Sequence, residues 1–203
     1  PRACIEHIQA VKKANPLAPV WVIVPNQQAK TQFKERLAST GGSFGVRVGF
    51  FRTFYTEILE ETGRFIPTLT PALSHRLVQE TVHEASASCE LQHYEVIKDK
   101  PGFLSVLVDA FAELRSALVE PEKFLDHPRD GSQAQRELAI LYSRFLEQLG
   151  EIGWIDSEGQ AWLAIEALAS HPDLLKDMGL VVVDGFTAFT KAQIRFMRML
   201  GEQ

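Results

Sequence analysis

The sequence predicts an α/β protein, a small parallel sheet interrupted by a large all-helical insertion. Three observations carry that expectation. Val20-Trp21-Val22-Ile23-Val24 and Leu180-Val181-Val182-Val183 are unbroken apolar runs, the signature of parallel strands buried on both faces. Helical patterns alternate with such runs near both ends of the chain, as crossover helices do between parallel strands. From about Thr68 to Ser170 there is no strand pattern, and four apolar stripes succeed one another at helical spacing.

The elements follow in order. Cys4, Ile5, Ile8 and Val11 make Arg2 to Lys13 a helix, which Asn15-Pro16-Leu17-Ala18-Pro19 ends because proline cannot continue it. Pro25-Asn26 breaks the first strand, and Asn26 is placed to cap a helix with Phe33 and Leu37 inward. Gly41-Gly42 closes that helix. Val46-Arg47-Val48 is a second short strand, and Phe51 to Glu61 a helix with Phe54, Ile58 and Leu59 inward, ending at Gly63. The insertion's stripes are Leu73, Leu77, Val78; then Leu104, Leu107, Val108, Phe111, Leu114, Leu118; then Leu138, Leu141, Tyr142, Phe145, Leu149; then Trp162, Ile165, Leu168. Pro101, Pro121, Pro128, Pro172, Gly131 and Gly153 punctuate them. The third strand and a helix from Lys191 to Leu200 close the chain. The expected division is therefore 1–67 with 171–203 as the α/β part and 68–170 as the insertion. A three-strand core that begins inside a helix is expected to be a piece of a longer protein.

Composition narrows the function. With 203 residues, 45% of them hydrophobic, a sizeable core is possible. There is no apolar run of the roughly 18 residues that span a bilayer, and no signal-peptide pattern, so no membrane role is expected. Cys4 and Cys89 lack metal-ligand spacing and read as free thiols of a reducing cytoplasm. The net charge is −5, but it is unevenly spread. Residues 20–55 hold five bases against Glu35 alone; residues 56–160 hold 19 acids against 9 bases. The basic stretch suits phosphates and the acidic stretch suits water or a protein partner, while an uneven solvated surface explains both equally well.

Asp184 ends the third strand, and Gly185 follows it. In P-loop NTPases an aspartate here holds Mg²⁺ against nucleotide phosphates, and a neighbouring glutamate positions water. The bland alternative is an Asp-Gly turn. No GxxxxGK[ST] phosphate cradle occurs, and Gly41-Gly42-Ser43-Phe44-Gly45 precedes a strand rather than a helix, so it cannot serve as one. Two strand-to-helix junctions, Val24-Pro25-Asn26-Gln27-Gln28 and Gly49-Phe50-Phe51-Arg52-Thr53-Phe54, offer amides, a guanidinium and rings of the kind that bind single-stranded nucleic acid. On composition alone the same residues read more readily as core aromatics and a helix cap. The six histidines show no metal spacing, and no serine sits in a nucleophile elbow.

Taken in order, these junctions resemble the motifs of superfamily 1 helicases of the UvrD type. Val24-Pro25-Asn26-Gln27-Gln28-Ala29, followed by Phe33-Lys34-Glu35-Arg36-Leu37, is similar to the family's TFTNKAA…MKERL motif, which touches single-stranded DNA. Gly49-Phe50-Phe51-Arg52-Thr53-Phe54-Tyr55, with Ile58-Leu59, resembles GTFHSLCYRIL, and Val182-Val183-Asp184-Gly185-Phe186, with Ala192-Gln193, resembles VDEFQDTNPAQ. Gly185 replaces the family's glutamate, Arg52 its histidine and Gln28 its lysine. Such a degraded core looks like AddB-type subunits of bacterial helicase-nucleases.

The resemblance implies a P-loop NTPase-like domain 1A wrapped around a helical domain 1B. It implies DNA contacts at Asn26, Gln27, Gln28, Arg52 and Thr53, with Phe51 as a stacking ring, and a vestigial nucleotide and Mg²⁺ position at Asp184 and Gly185. It further implies a bacterial, cytoplasmic protein of double-strand-break repair and recombination with an AddA-type partner. The alternative expectations are an active UvrD-like ATP-dependent DNA helicase with its catalytic acid supplied elsewhere, or a protein-interaction scaffold. ATP and Mg²⁺ would belong to the parent protein, any phosphate loop would lie just before Pro1, and an iron–sulfur cluster would lie in a C-terminal nuclease part.

Overall fold

Val20–Ile23 (β1), Val46–Gly49 (β2) and Leu180–Val183 (β3) pair as one parallel sheet of order β2-β1-β3 in the computed structural model, which describes residues 2–41, 44–125 and 132–202. Gly42, Ser43, His127, Pro128 and Gly131 of the sequence reading lie outside the described residues. Ile23 is in register with Gly49 on one side and Val183 on the other, so all three strands stop at one level. The chain divides into two compact units, Pro1–Arg64 with Leu163–Gln203, and Phe65–Trp162.

In the α/β unit the central strand is wholly buried, which its unbroken apolar sequence requires. Alternation sends Val20, Val22 and Val24 to one face, where they pack with Ile5 and Ile8 of Arg2–Ala14 (α1) and Phe33 and Leu37 of Gln27–Ser39 (α2). Trp21 points to the other face and meets Phe54 of Phe51–Glu61 (α3) at 5.0 Å between ring centres. Phe54 in turn meets Phe196 of the last helix, Lys191–Gly201, at 5.9 Å. The Trp21 ring fills the space where a side chain at Gly49 would begin. A Cβ there would stand 2.6 Å from the ring, too close for two carbons, so β2 must end in glycine. Trp21 Nε1–H and the Arg47 guanidinium both donate to Glu57, at 2.9 and 2.6 Å. Arg47, expected among the phosphate-seeking bases, is thereby engaged within the fold.

The helical unit contains Pro71–Ala87 (α4), Pro101–Ser116 (α5), Pro121–Leu125 (α6), Gln133–Ile152 (α7) and the start of Ser157–Ser170 (α8). The helix that follows β3, Lys191–Gly201, is α9. Thr70 and Ser132 cap α4 and α7, Pro101 and Pro121 open α5 and α6, and Gly153 ends α7 in the left-handed region. Leu77, Val78, Leu104, Leu107, Phe111, Leu141, Tyr142, Phe145 and Leu149 form its core, as their spacing predicts. Leu73 departs from that expectation and is exposed, because it lies in the first turn of α4, before the helix face that meets α5 and α7. Leu118 departs too: α5 ends at Ser116, and Leu118 takes a left-handed φ of 56° in the connection. Outside the sheet, among the described residues, the extended pairing is one isolated bridge between Thr68 and Ile155.

Three polar anchors hold this unit. The fully buried Glu137 carboxylate accepts the N–H groups of Gln92, His93 and Tyr94 at 2.8, 2.8 and 2.9 Å, and the Gln133 amide at 2.8 Å. Burial alone would raise its pKa, but the donors from His93, Tyr94, Gln133 and Gln92 outweigh it and hold the group at about 2. Arg115 and Asp156 form a buried charge contact, Nε to Oδ2 at 2.8 Å, without the alignment of a hydrogen bond. Asp156 also accepts Gly159 N–H at 2.7 Å. Arg144 grips Glu90 with two nitrogens, at 2.6 and 2.7 Å. Among the described residues, no helix is long and apolar enough to cross a membrane.

Candidate nucleic-acid interface

The register decides where the strand-to-helix junctions lie. Asn26 follows Ile23 by three residues, Arg52 follows Gly49 by three, and Asp184 follows Val183 directly. All three therefore leave the same carboxyl edge of one sheet. The chain places β2 on one side of β1 and β3 on the other, and ligands collect where strand order reverses in this way.

Side-chain contacts tie the junctions together. Lys30, in the first turn of α2, sits over the Phe50 ring at 5.2 Å, which joins the β1 and β2 junctions. The Phe51 and Phe186 rings are 5.3 Å apart, which joins the β2 and β3 junctions. A Cβ at Gly185 would stand 3.5 Å from Pro25 Cδ, which joins the β3 and β1 junctions. The rim is one continuous surface rather than three separate loops.

Each element delivers its groups for a local reason. Asn26 is extended and caps α2, its Oδ1 accepting Ala29 N–H at 2.9 Å, and this leaves its amide nitrogen outward. Gln27 and Gln28 are exposed on the first turn. Helix α3 starts from Phe50, which offers no side-chain cap, so the first-turn N–H groups keep the helix's positive end unquenched. Arg52 and Thr53 are exposed there. Neither α2 nor α3 carries an acid in its first turn. The arrangement suits anions held by amides and one guanidinium.

Phe51 is placed differently from its sequence reading. Its ring is 5% exposed, packed on Tyr55, Phe186, Phe189 and Phe196, so it has no open face for a base. The correction has a plain cause: Phe51, Phe54, Tyr55 and Ile58 share one helical stripe, and that stripe is the buried one. Sequence reasoning counted Lys30 among the bases of the 20–55 stretch without assigning it to the junctions. It passed over the Phe186–Phe189 pair, for which the aromatic repeat in Gly185-Phe186-Thr187-Ala188-Phe189 was the available signal.

Asp184 is half-buried at the end of β3, and the Cys4 thiol donates toward its Oδ1 at 3.8 Å. Burial, then the Asp184 charge, pushes the Cys4 pKa up, so the thiol stays protonated. Gly185 adopts a φ of +81°, a backbone state that side-chain-bearing residues rarely take. No group of three or more His, Cys, Asp or Glu residues suited to a metal ion occurs among the described residues. Asp184 would offer a cation a single carboxylate, and the position after it has neither a carboxylate nor a backbone set for one. Two cysteines are half the thiolates that an iron–sulfur cluster takes, so this chain's own residues do not fit that group.

Comparison with known proteins adds a family. A family model described as "ADDB, N-terminal" matches residues 1–203. Among similar proteins are three named as the B-type subunit of an ATP-dependent helicase/deoxyribonuclease. That of Carboxydothermus hydrogenoformans is 27% identical over 98% of this chain and 18% of its own length. That of Exiguobacterium sibiricum is 26% identical over 98% of this chain and 17% of its own. That of Moorella thermoacetica is 26% identical over 98% of this chain and 18% of its own. The chain spans less than a fifth of the length of these relatives.

Proposed function

The chain belongs to the AddB N-terminal family, and from that premise we propose that it is the DNA-tracking, helicase-like module of an AddB-type helicase/deoxyribonuclease subunit. The α/β unit takes the role of a P-loop NTPase-like domain 1A and the helical unit that of an inserted domain 1B. The parent protein acts on broken DNA ends in double-strand-break repair and recombination, in the bacterial cytoplasm, beside an AddA-type partner. The observation that carries this reading is the convergence of Asn26, Arg52 and Asp184 on one edge of a parallel sheet.

The chemistry of the track is electrostatic and positional. The Asn26 amide, Gln27 and Gln28 meet the DNA backbone from the start of α2. Arg52, Thr53 and the uncapped amides of α3 take phosphate oxygens, where a helix's positive end and a guanidinium act together. Such contacts fix the path of a single strand without reading its sequence, and they weaken steeply with salt.

The module has no ATPase of its own in this reading. ATP and Mg²⁺, where the parent protein uses them, supply phosphoryl-transfer chemistry that needs a cation site and a residue to orient water. Asp184 remains as a weak cation ligand, and Gly185 can orient nothing. Steady-state ATPase of the full-length protein is the test. Turnover unchanged by Asp184→Ala is the expected result; robust turnover abolished by Asp184→Ala would overturn the assignment.

A further inference from the structure

We propose that Phe189, stacked on Phe186, is the platform on which this rim receives an unpaired base of single-stranded DNA. The inference rests on the nucleic-acid reading above and deepens it by assigning the base-binding group. Single strands are held by two kinds of contact, cations and amides for the phosphates and aromatic faces for the bases. The rim described so far supplies the first kind. Its two nearest rings do not supply the second, since Phe51 is buried and Phe50 already lies under the Lys30 ammonium.

Phe189 has the required geometry. Its ring lies nearly parallel to that of Phe186, 5.1 Å between centres and 25° between planes, so one face is supported. Phe51 meets it edge-on at 6.5 Å and 89°, and Phe51 is itself backed by the fully buried Phe196 at 6.2 Å. Phe189 is thus the outermost ring of an aromatic column anchored in the core. It is 38% exposed, whereas most of the column is buried. A scattered surface phenylalanine needs no explanation, but this one is pre-oriented, at low entropic cost, by a rigid stack.

The charges around it select the ligand. Arg52 is the next residue after Phe51, and Lys191 and Arg195 lie exposed on the first turns of α9, which starts two residues after Phe189. An aromatic face with exposed basic residues close by in the chain suits a base whose phosphates lie to either side, and it suits an apolar protein segment less well. Stacking of this sort is sequence-tolerant because every base presents a π-face.

Photo-crosslinking of the full-length protein to single-stranded DNA carrying 5-iododeoxyuridine tests the assignment, with the modified residue located by mass spectrometry. A crosslink at Phe189 is expected, reduced about tenfold or more in Phe189→Ala and Phe189→Leu and kept in Phe189→Trp. The leucine variant preserves apolar cover, so loss in both Ala and Leu reports the ring and not the fold. Crosslinks on peptides holding Asn26, Phe50 or Arg52 but none at Phe189 would overturn this inference and leave the track intact. Retention of a crosslink at position 189 in the leucine variant would overturn it as well. No crosslink anywhere in residues 1–203 would overturn both the inference and the track.

Discussion

The two units use their polar side chains in opposite ways. In the helical unit the strong groups are turned inward onto the chain itself: Glu137 closes the 92–94 turn, Arg115 faces Asp156, and Arg144 grips Glu90. In the α/β unit the groups at the sheet's carboxyl edge, Asn26, Gln27, Gln28, Arg52 and Thr53, are exposed, and α3 starts without a cap. Buried polar groups must be satisfied or they cost stability, so the first pattern is what a helical bundle needs to hold long connections. A rim of exposed donors contributes little to folding. The difference separates residues that keep the structure from residues available to a ligand.

Substitutions should therefore divide cleanly between stability and binding. The largest effect is expected at Glu137. Glu137→Ala leaves three backbone donors without their acceptor and should cost about 3 kcal/mol or more in chemical denaturation, with single-stranded DNA affinity unchanged under folding conditions. A cost below about 1 kcal/mol would break the comparison on the helical side.

Acidification should reproduce that loss without a mutation. The folded-state pKa of Glu137 is depressed to about 2 from an ordinary 4.5, so its stabilisation is fully present above pH 4.5. It should fall away as pH drops from there toward 2, by roughly 3 kcal/mol in all. Hydrogen exchange at the Gln92, His93 and Tyr94 amides should accelerate across that window. Exchange that is flat with pH, once the intrinsic rate is divided out, would contradict the clamp.

Gly185→Glu sharpens the contrast on the other side. A side chain at φ +81° should cost about 1–2 kcal/mol, and the added carboxylate should restore no ATP turnover, as a coupled assay would show. Asn26 spans both categories, because it caps α2 and belongs to the rim. Asn26→Ala should lose about 1 kcal/mol of stability together with DNA affinity. Asn26→Asp should keep the cap and lose affinity alone, since a carboxylate repels phosphate. The smallest stability effect is expected at exposed Arg52: Arg52→Ala should move stability by less than about 0.5 kcal/mol while weakening binding several-fold.

The sheet was legible because two of its strands are unbroken apolar runs. Val20–Ile23 is buried throughout, as a central parallel strand requires, while Leu180–Val183 at the sheet's edge buries only Val182 and is less covered than its sequence suggests. Asn26 was legible as a cap from its place after a proline-broken strand. The common edge of the three junctions also follows from strand order and direction. What each side chain does there does not follow. Phe51 reads as an open ring when the junction is viewed as a motif and as core when viewed as a helical stripe, and packing chose the second. Glu137 lies four residues before Leu141, on the inward face of α7, yet its acceptor role depends on a turn some 45 residues earlier in the chain. Periodicity reports which face is buried, and it is silent about long-range partners. The stacking of Phe186 on Phe189 is of the same kind, since it needs the loop after β3 to fold back against α3.

The central claim is that the carboxyl edge of the sheet holds DNA through its phosphates. The direct measurement is the salt dependence of single-stranded DNA binding by the full-length protein, compared with an Arg52→Ala variant. A lost phosphate contact should lower the slope of log K against log salt by about 0.7, so the variant should show a slope shallower by about that amount. Equal slopes for the two proteins would mean that this edge does not carry the DNA.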